Sequence, residues 1–140
     1  MLIALDPEEV RPYSLKSDTA EEKTIFSLGT LDAQLRAAVV DGQTTYSLND
    51  RGGSAKTDID VSINLRNFDI VRFGLKGWTN FKGKNGVEIL FDTERYNVPK
   101  VGMRVGVSAL CMKRLRLEWI NELADQILQD NQLSVEVSKN

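Results

Sequence analysis

Few residues in this chain have side chains that could do chemistry, and they are widely separated. There is one cysteine, Cys111, and there is no histidine. Histidine is the commonest general base and transition-metal ligand, so its absence disfavours triad-type catalysis and a typical zinc site. The acidic residues are scattered and lack the spacing of a calcium loop. We therefore predict no catalytic, cofactor-binding or metal-binding residue, and no cofactor.

Cys111 is the strongest candidate nucleophile, yet its surroundings indicate a packing role. It stands among Ala109, Leu110 and Met112 in a segment that predicts a buried helix, where cysteine behaves as a small hydrophobe. A pair of carboxylates brought together from distant positions would not show as a motif. A small enzyme of unknown chemistry therefore stays as an alternative, although we expect no small-molecule substrate.

The composition predicts a single domain over residues 1–140. Hydrophobic residues at 41% and charged residues at 27% are typical of globular proteins, and a chain of this length can bury a sizeable core. A lone cysteine allows no internal disulfide and suits a reducing compartment. The chain begins without the basic region of a signal peptide, and no apolar run approaches the ~20 residues of a membrane span. We expect no membrane partner.

The first forty residues predict an arm, two strands and a helix. Pro7 and Pro12 favour an extended N-terminal arm over residues 1–12. Alternation within residues 13–17 and β-rich composition in residues 23–28 predict a strand pair. A helical apolar period follows, between Thr30 and Asp41.

The middle of the chain predicts a hairpin and a buried helix. Residues 44–48 favour a strand, and residues 57–66 alternate strictly between apolar and polar side chains, which is typical of a half-buried strand. A helix then starts near Asn67 and ends at Gly77. Gly74, inside it, would let another element approach closely.

The second half predicts a further hairpin, a short strand and two helices. Asn85-Gly86 favours a turn within residues 78–91, where Leu90 breaks the alternation and is expected to be buried from the other face. The predicted strand covers Val101 to Val105, and the helices cover Ser108–Lys113 and Leu117 onwards. Residues 131–140 are predicted as a tail or as a strand that pairs with a neighbouring subunit. The fold class is α+β, with antiparallel strands and hairpins packed against three to four helices.

The charges are segregated along the chain. Residues 1–60 carry a net charge of −5, residues 61–116 carry +7, and residues 117–140 carry −4. A basic middle between acidic ends could dock head to tail with a second copy or with another acidic partner, or could contact nucleic acid. The interpretation we favour for the pattern is that these charges pair within the fold at a solvated surface.

Two sets of residues are candidates for an interface. Trp78 and Phe81 are either core residues that pack across the second hairpin or partly exposed aromatic anchors, because tryptophan is enriched at interface hot spots. Lys113, Arg114 and Arg116 form a basic cluster. The cluster has no neighbouring aromatic residues for base stacking in the sequence, so we favour an inter-subunit salt bridge to the acidic arm over nucleic-acid binding.

Short pieces over most of the chain resemble small morphogenesis proteins of tailed bacteriophages. The pieces run from the start of the chain to its last helix: Tyr13-Ser14-Leu15-Lys16-Ser17-Asp18, Glu21-Glu22, Thr24-Ile25-Phe26-Ser27-Leu28, Arg72-Phe73-Gly74-Leu75-Lys76-Gly77-Trp78-Thr79-Asn80-Phe81 and Glu122-Leu123-Ala124. The proline that usually precedes the last helix in that group is replaced here by Leu115-Arg116-Leu117.

The resemblance implies a role in virus assembly, with other phage structural proteins and copies of the same chain as partners. Some members of the group are virion components, and others are tail assembly chaperones that bind the tape-measure protein. We expect a non-enzymatic virion structural protein, capsid-associated or at the head–tail junction, that is assembled in the host cytoplasm. The arm (residues 1–12) and the tail (residues 131–140) are the expected contacts between subunits. The chaperone role is the alternative.

Overall fold

The structure is a computed structural model that describes the backbone of residues 1–41 and 55–139, and the side-chain surroundings of residues 1–40 and 63–131. The strands within these ranges are β1 (Arg11–Tyr13), β2 (Ile25–Leu28), β3 (Leu75–Thr79), β4 (Thr93–Val98) and β5 (Gly102–Val107). The helices are α1 (Ala33–Arg36), which continues as a π-helical turn over Ala37–Asp41, α2 (Ala55–Gly74), α3 (Ala109–Met112) and α4 (Leu117–Lys139). Two antiparallel sheets with helices confirm the predicted α+β class.

The first sheet has the strand order β1-β2-β3 and is antiparallel throughout. Tyr13 lies opposite Phe26, so a strand here does pair with the strand predicted over residues 23–28. The strand predicted over residues 13–17 is wrong beyond Tyr13, because β1 covers Arg11–Tyr13. Phe26 in turn lies opposite Trp78 of β3. This register places the aromatic side chains of neighbouring strands side by side, where cross-strand pairs stabilise a sheet.

The second sheet is the hairpin of β4 and β5. Its turn has Pro99 followed by Lys100, whose φ is +68°, and the Val101 N–H donates to the Val98 carbonyl at 3.0 Å. Proline followed by a positive φ is the arrangement of a type II turn. The strand predicted from Val101 to Val105 is confirmed as β5. Strand β4 was not predicted, because its mostly exposed side chains show no apolar alternation.

The strand predicted over residues 57–66 is wrong, because these residues belong to helix α2. The helix ends at Gly74 rather than at Gly77, which lies within β3. Alternating residues are about 200° apart around a helix, so a period of two spreads apolar side chains over several faces. Ile63 and Leu65 are accordingly exposed. The partner strand predicted over residues 44–48 lies outside the described residues.

Helix α4 is the longest described element. It begins at Leu117, as predicted, but it continues to Lys139, so the prediction of a tail or strand over residues 131–140 is wrong for residues 131–139. Among the described residues, no helix combines the length and apolarity needed to cross a bilayer.

The core lies where α2 and α4 pack together against the three-stranded sheet. A Cβ added to Gly74 would come within 2.7 Å of Ile127 Cδ1, so glycine permits the close approach of α4, as predicted. The largest fully buried apolar side chains come from both sheets, both long helices and α3: Phe26, Leu28, Ile70, Val71, Leu75, Val107, Met112, Ile120, Leu123 and Ile127.

Residues 1–10 precede β1 and lie outside any strand or helix, and all ten are exposed; we call them the exposed arm. One turn redirects this segment at Pro7. The Glu9 N–H donates to the Asp6 carbonyl at 3.2 Å, and the Glu8 N–H donates to Asp6 Oδ1 at 3.0 Å. Arg11 and Pro12, the last residues of the predicted arm, begin β1.

Candidate functional site

The aromatic residues of the predicted hairpin form a cluster in the core of the chain. Trp78 and Phe81, both expected as candidate interface residues, are only 7% and 8% exposed. Their ring centroids are 4.8 Å apart, and the Trp78 ring also meets Phe91 edge-on at 5.0 Å. Trp78 Nε1 donates to the Ile89 carbonyl at 2.8 Å, so the indole is satisfied inside the protein. Of the two alternatives for Trp78, the structure therefore supports the first: Trp78 is a core residue.

The turn that follows this cluster has the predicted geometry at Gly86, whose φ is +76°. The Ile89 N–H donates to the Phe81 carbonyl at 2.7 Å, and Lys82 and Glu88 form an isolated antiparallel β-bridge. The hairpin predicted over residues 78–91 is therefore wrong as a pair of strands, because β3 ends at Thr79 and no second strand follows the turn. Leu90 lies just beyond this turn and is 82% exposed, so the expectation that it is buried is wrong. The turn therefore presents an apolar side chain to solvent.

An open cavity of about 520 Å³ lies beside the aromatic cluster. Phe26, Phe81 and Trp119 line it together with Leu15, and polar or charged residues that include Asp18 and Glu22 lie around them. We call it the acidic-rimmed cavity. Apolar surface with a few polar groups is typical of sites that accept an apolar segment or ligand.

Asn80 connects the walls of the acidic-rimmed cavity. Its φ of +57° is in the left-handed region, which asparagine adopts more readily than most residues. Its side-chain Nδ2 donates to the Glu22 carbonyl at 2.9 Å, and its carbonyl accepts from Thr24 Oγ1 at 2.8 Å. The Asn80 N–H donates to Glu88 Oε1 at 3.0 Å. These bonds join the segment before β2 to the turn after β3.

The predicted basic cluster is at the surface. Lys113, Arg114 and Arg116 are all exposed. The Arg116 guanidinium lies over the Trp119 ring, 5.4 Å from its centroid, a cation–π geometry that the sequence interpretation missed. Arg116 and Trp119 are three residues apart, a spacing that brings two side chains together on a helix. This spacing was the sequence signal that could have indicated the contact.

Arg114 also meets the turn that follows β3. It lines an open depression of about 720 Å³ together with residues that include Lys84, Val87 and Leu90. Helix α3 adjoins this depression, because the Cys111 thiol lies 3.5 Å from the Leu90 carbonyl. The basic-apolar surface, as we name it, consists of four exposed side chains of this depression, Val87, Leu90, Lys84 and Arg114, together with the exposed Leu110 and Lys113 of the adjoining helix α3 and its C-cap.

Cys111 itself is buried, as predicted. Its N–H donates to Ser108 Oγ at 3.2 Å, so Ser108 caps helix α3. Both side chains therefore have structural roles at the start of a short helix, and the thiol lies in the interior.

Tyr13 has a strongly perturbed pKa. Burial, together with a 2.5 Å hydrogen bond to Glu122 Oε2 and the charges of Glu122 and Asp130, raises the pKa of Tyr13 to about 12. Glu122 Oε2 also accepts the Lys16 N–H at 2.9 Å. The phenol therefore ties β1 to helix α4 as a neutral donor.

Two other charged groups are perturbed chiefly by burial. Burial raises the pKa of Asp69, against the attraction of Arg72, whose Nη1 lies 2.9 Å from Asp69 Oδ1. Burial lowers the pKa of Lys76, against the attraction of Asp32. Lys76 Nζ donates to the Phe73 carbonyl at 2.8 Å. Both contacts are local, because each joins two residues that are three apart in the chain.

A metal centre would need at least three ligands close together. In the described ranges, 1–41 and 55–139, no group of three His, Cys, Asp or Glu residues is placed to hold a metal ion. The features that sequence interpretation missed are surfaces, namely the acidic-rimmed cavity and the basic-apolar surface. Both are made by residues far apart in the chain, so no local pattern indicated them.

Comparisons of the chain with protein-family models, with curated proteins and with solved structures found no match.

Proposed function

We propose that this chain is a non-enzymatic structural protein of a tailed bacteriophage particle, capsid-associated or at the head–tail junction, that acts through protein–protein contacts. The observation that carries the proposal is the exposed arm. Five of its ten residues have large apolar side chains that the chain leaves exposed, namely Met1, Leu2, Ile3, Leu5 and Val10. An apolar segment held away from the body of its own chain gains stability when a neighbouring subunit covers it.

The segregated charges and the phage-like sequence segments support the same proposal. An arm that carries acidic residues and a body surface that carries basic residues provide electrostatic complementarity between subunits, which gives specificity and fast association. The resemblance adds the setting, which is the assembly of a virus particle in the host cytoplasm.

The test is mass spectrometry of purified particles of the encoding phage, with the lysate of the same infection as reference. We expect the chain in particles at a ratio to the major capsid protein that stays constant through successive gradients. A variant with Leu2→Ser, Ile3→Ser and Leu5→Ser should fold normally and be lost from particles. A protein abundant in the lysate and missing from particles would overturn the proposal.

A tail assembly chaperone is the second candidate, and the acidic-rimmed cavity favours it. Its aromatic lining, with Phe81 and Trp119, suits an apolar segment of a client such as a tape-measure protein. Trp119→Ala should then reduce the amount of tape-measure protein that co-purifies from infected cells by about tenfold, a loss that corresponds to about 1.4 kcal/mol. Leu117→Ala, an exposed position in the same helix, is the matched control and should leave the yield unchanged.

A further inference from the structure

The exposed arm combines apolar and acidic side chains in a fixed order. Leu2 and Ile3 are 92% and 62% exposed, and Leu5 is also exposed. Asp6, Glu8 and Glu9 follow within four residues. A surface that received this segment would need an apolar part next to a basic part.

The basic-apolar surface has this composition. Val87, Leu90 and Leu110 supply the apolar part, and Leu90 and Leu110 are 82% and 75% exposed. Lys113 and Arg114 follow directly after helix α3, and Arg114 lies in the same depression as Leu90.

The charges around the surface keep it basic. Residues 82–92 and 113–118 together hold five basic and three acidic residues. One of the acids, Glu88, lines the depression, and its Oε1 accepts the Asn80 N–H. The attraction between exposed charges of opposite sign is weakened by salt, so docking on this surface should depend on ionic strength.

The acidic-rimmed cavity suits the exposed arm poorly. Asp18 and Glu22 lie along it, opposed by one lysine, Lys82. Like charges brought together at an interface disfavour the wrong partner. The charge of the exposed arm therefore selects the basic-apolar surface.

Within one chain, the exposed arm and the basic-apolar surface both stay uncovered. Glu9 Oε1 lies 3.3 Å from Arg11 Nη2, and both of these side chains keep about two-fifths of their surface exposed. We propose that the exposed arm of one copy docks on the basic-apolar surface of a second copy, with Leu2, Ile3 and Leu5 against the apolar part and Glu8 and Glu9 against Lys113 and Arg114. This inference rests on the proposed function, because it names the partner of a protein that acts through its arm.

A charge-swap experiment tests the contact with purified full-length protein. In the arm variant, Glu8→Lys and Glu9→Lys reverse the arm but retain Asp6, which holds the turn at Pro7. In the surface variant, Lys113→Glu and Arg114→Glu reverse the surface but retain Arg116 on Trp119. The matched control, Glu94→Lys with Asp125→Lys, reverses two exposed acidic residues that line neither concave surface.

Sedimentation velocity over a range of concentrations at low salt gives the association constant of each sample. We expect the wild type to self-associate, and each variant by itself to associate at least about tenfold more weakly, a loss of about 1.4 kcal/mol. A 1:1 mixture of the arm and surface variants should associate about as strongly as the wild type, because every arm then meets a surface of opposite charge. The control should match the wild type.

Three results would overturn the proposal: a wild type that stays monomeric, an arm variant that associates like the wild type, or a mixture that behaves as its separate components. If the surface variant fails to fold by circular dichroism, the arm variant and the control still decide the outcome. If the chain is found in particles but does not self-associate, this inference is wrong and the proposed function is not affected.

Discussion

The two sheets of this protein are built from the same antiparallel pairing but are stabilised differently. The sheet of β1, β2 and β3 has aromatic and aliphatic side chains buried against the helices, and Phe26 in its central strand is 1% exposed. In the β4–β5 hairpin, Met103 and Val105 face solvent, and burial is concentrated near its base at Gly106 and Val107.

The hairpin is attached to the body at that base, through Tyr96 and through Arg104, whose Nη2 donates to Gln34 Oε1 at 3.3 Å and whose Nε lies 3.6 Å from Asp32 Oδ2. Tyr96 meets the Phe73 ring edge-on at 5.8 Å, and the Arg72 guanidinium lies 5.2 Å from its ring centroid. Within the hairpin, the Tyr96 hydroxyl donates to the Val107 carbonyl at 2.6 Å. The three-stranded sheet therefore belongs to the core, whereas the hairpin is an appendage whose stability depends on its contacts with α1 and α2.

The largest expected effect is the loss of an aromatic residue from the three-stranded sheet. Phe26→Ala removes a ring that packs against Trp78 and Phe81, and it should lower the free energy of unfolding by about 3–5 kcal/mol. Val105→Ala in the hairpin should change it by less than about 0.5 kcal/mol, because that side chain is exposed. Urea denaturation followed by circular dichroism measures both, and equal losses would contradict the comparison.

A glycine in each sheet gives the next effect. A Cβ at Gly106 would lie 2.9 Å from the Arg72 carbonyl oxygen, so Gly106→Ala must displace backbone and should cost about 1–3 kcal/mol. A Cβ at Gly77 of β3 would come no nearer than 4.0 Å to Ser27, so Gly77→Ala should be neutral or stabilise by about 0.4–1 kcal/mol. The reverse order of the two melting temperatures would show that the base of the hairpin is not tightly packed.

A smaller effect concerns the tyrosines. Tyr13→Phe removes the hydroxyl that bonds Glu122 and should cost about 1 kcal/mol near pH 7. The pKa of Tyr13 is raised to about 12 in the folded chain from an ordinary value of 10.0. The unfolded chain therefore binds fewer protons than the folded chain between these values, so the contribution of Tyr13 is full below pH 10 and is lost as pH rises through 12.

Stability measured by urea denaturation between pH 9 and pH 12 checks this sign. The wild type should lose more stability over that interval than Tyr13→Phe does. The raised pKa of Tyr96, chiefly caused by burial, provides a background decline common to both proteins. Parallel pH profiles for the two proteins would show that the Tyr13–Glu122 bond does not hold in solution.

Sequence patterns predicted the parts of the fold in which one face is buried. The apolar period from Leu117 marked helix α4, the composition of residues 23–28 marked β2, and Asn85-Gly86 marked a turn. In these segments local preference and tertiary packing favour the same structure, so either one suffices for the prediction.

The failures occur where local preference and packing disagree. Thr57 to Arg66 alternate and are rich in β-branched residues, yet they continue the helix whose later residues, Ile70 and Val71, are fully buried. Strand preference reflects how a side chain packs in context, and here the helical neighbours decide. Leu90 was expected inside because it broke an alternation, but residues 87–91 form no strand, only an isolated bridge between Glu88 and Lys82.

The candidate surfaces were less predictable than the fold. The basic cluster was visible in the sequence because its residues are adjacent. Its neighbour Leu90 precedes Arg114 by more than twenty residues, and only the folded turn after β3 brings them to one depression. Trp78 could not be assigned to core or interface beforehand, because both settings favour a large aromatic side chain.

The turn at Pro7 has a consequence for symmetry. If the exposed arm docks as proposed, the contact joins two different surfaces, so each copy still has one arm and one receiving surface to offer. Repetition of such a contact closes into a ring when the rotation between copies divides a full circle, and otherwise continues as a helical filament. The hydrogen bonds from Glu8 and Glu9 to Asp6 set the direction in which the arm leaves the body, and hence that rotation. A change of a few degrees in the direction of the arm at Pro7 would then decide how many subunits complete a ring.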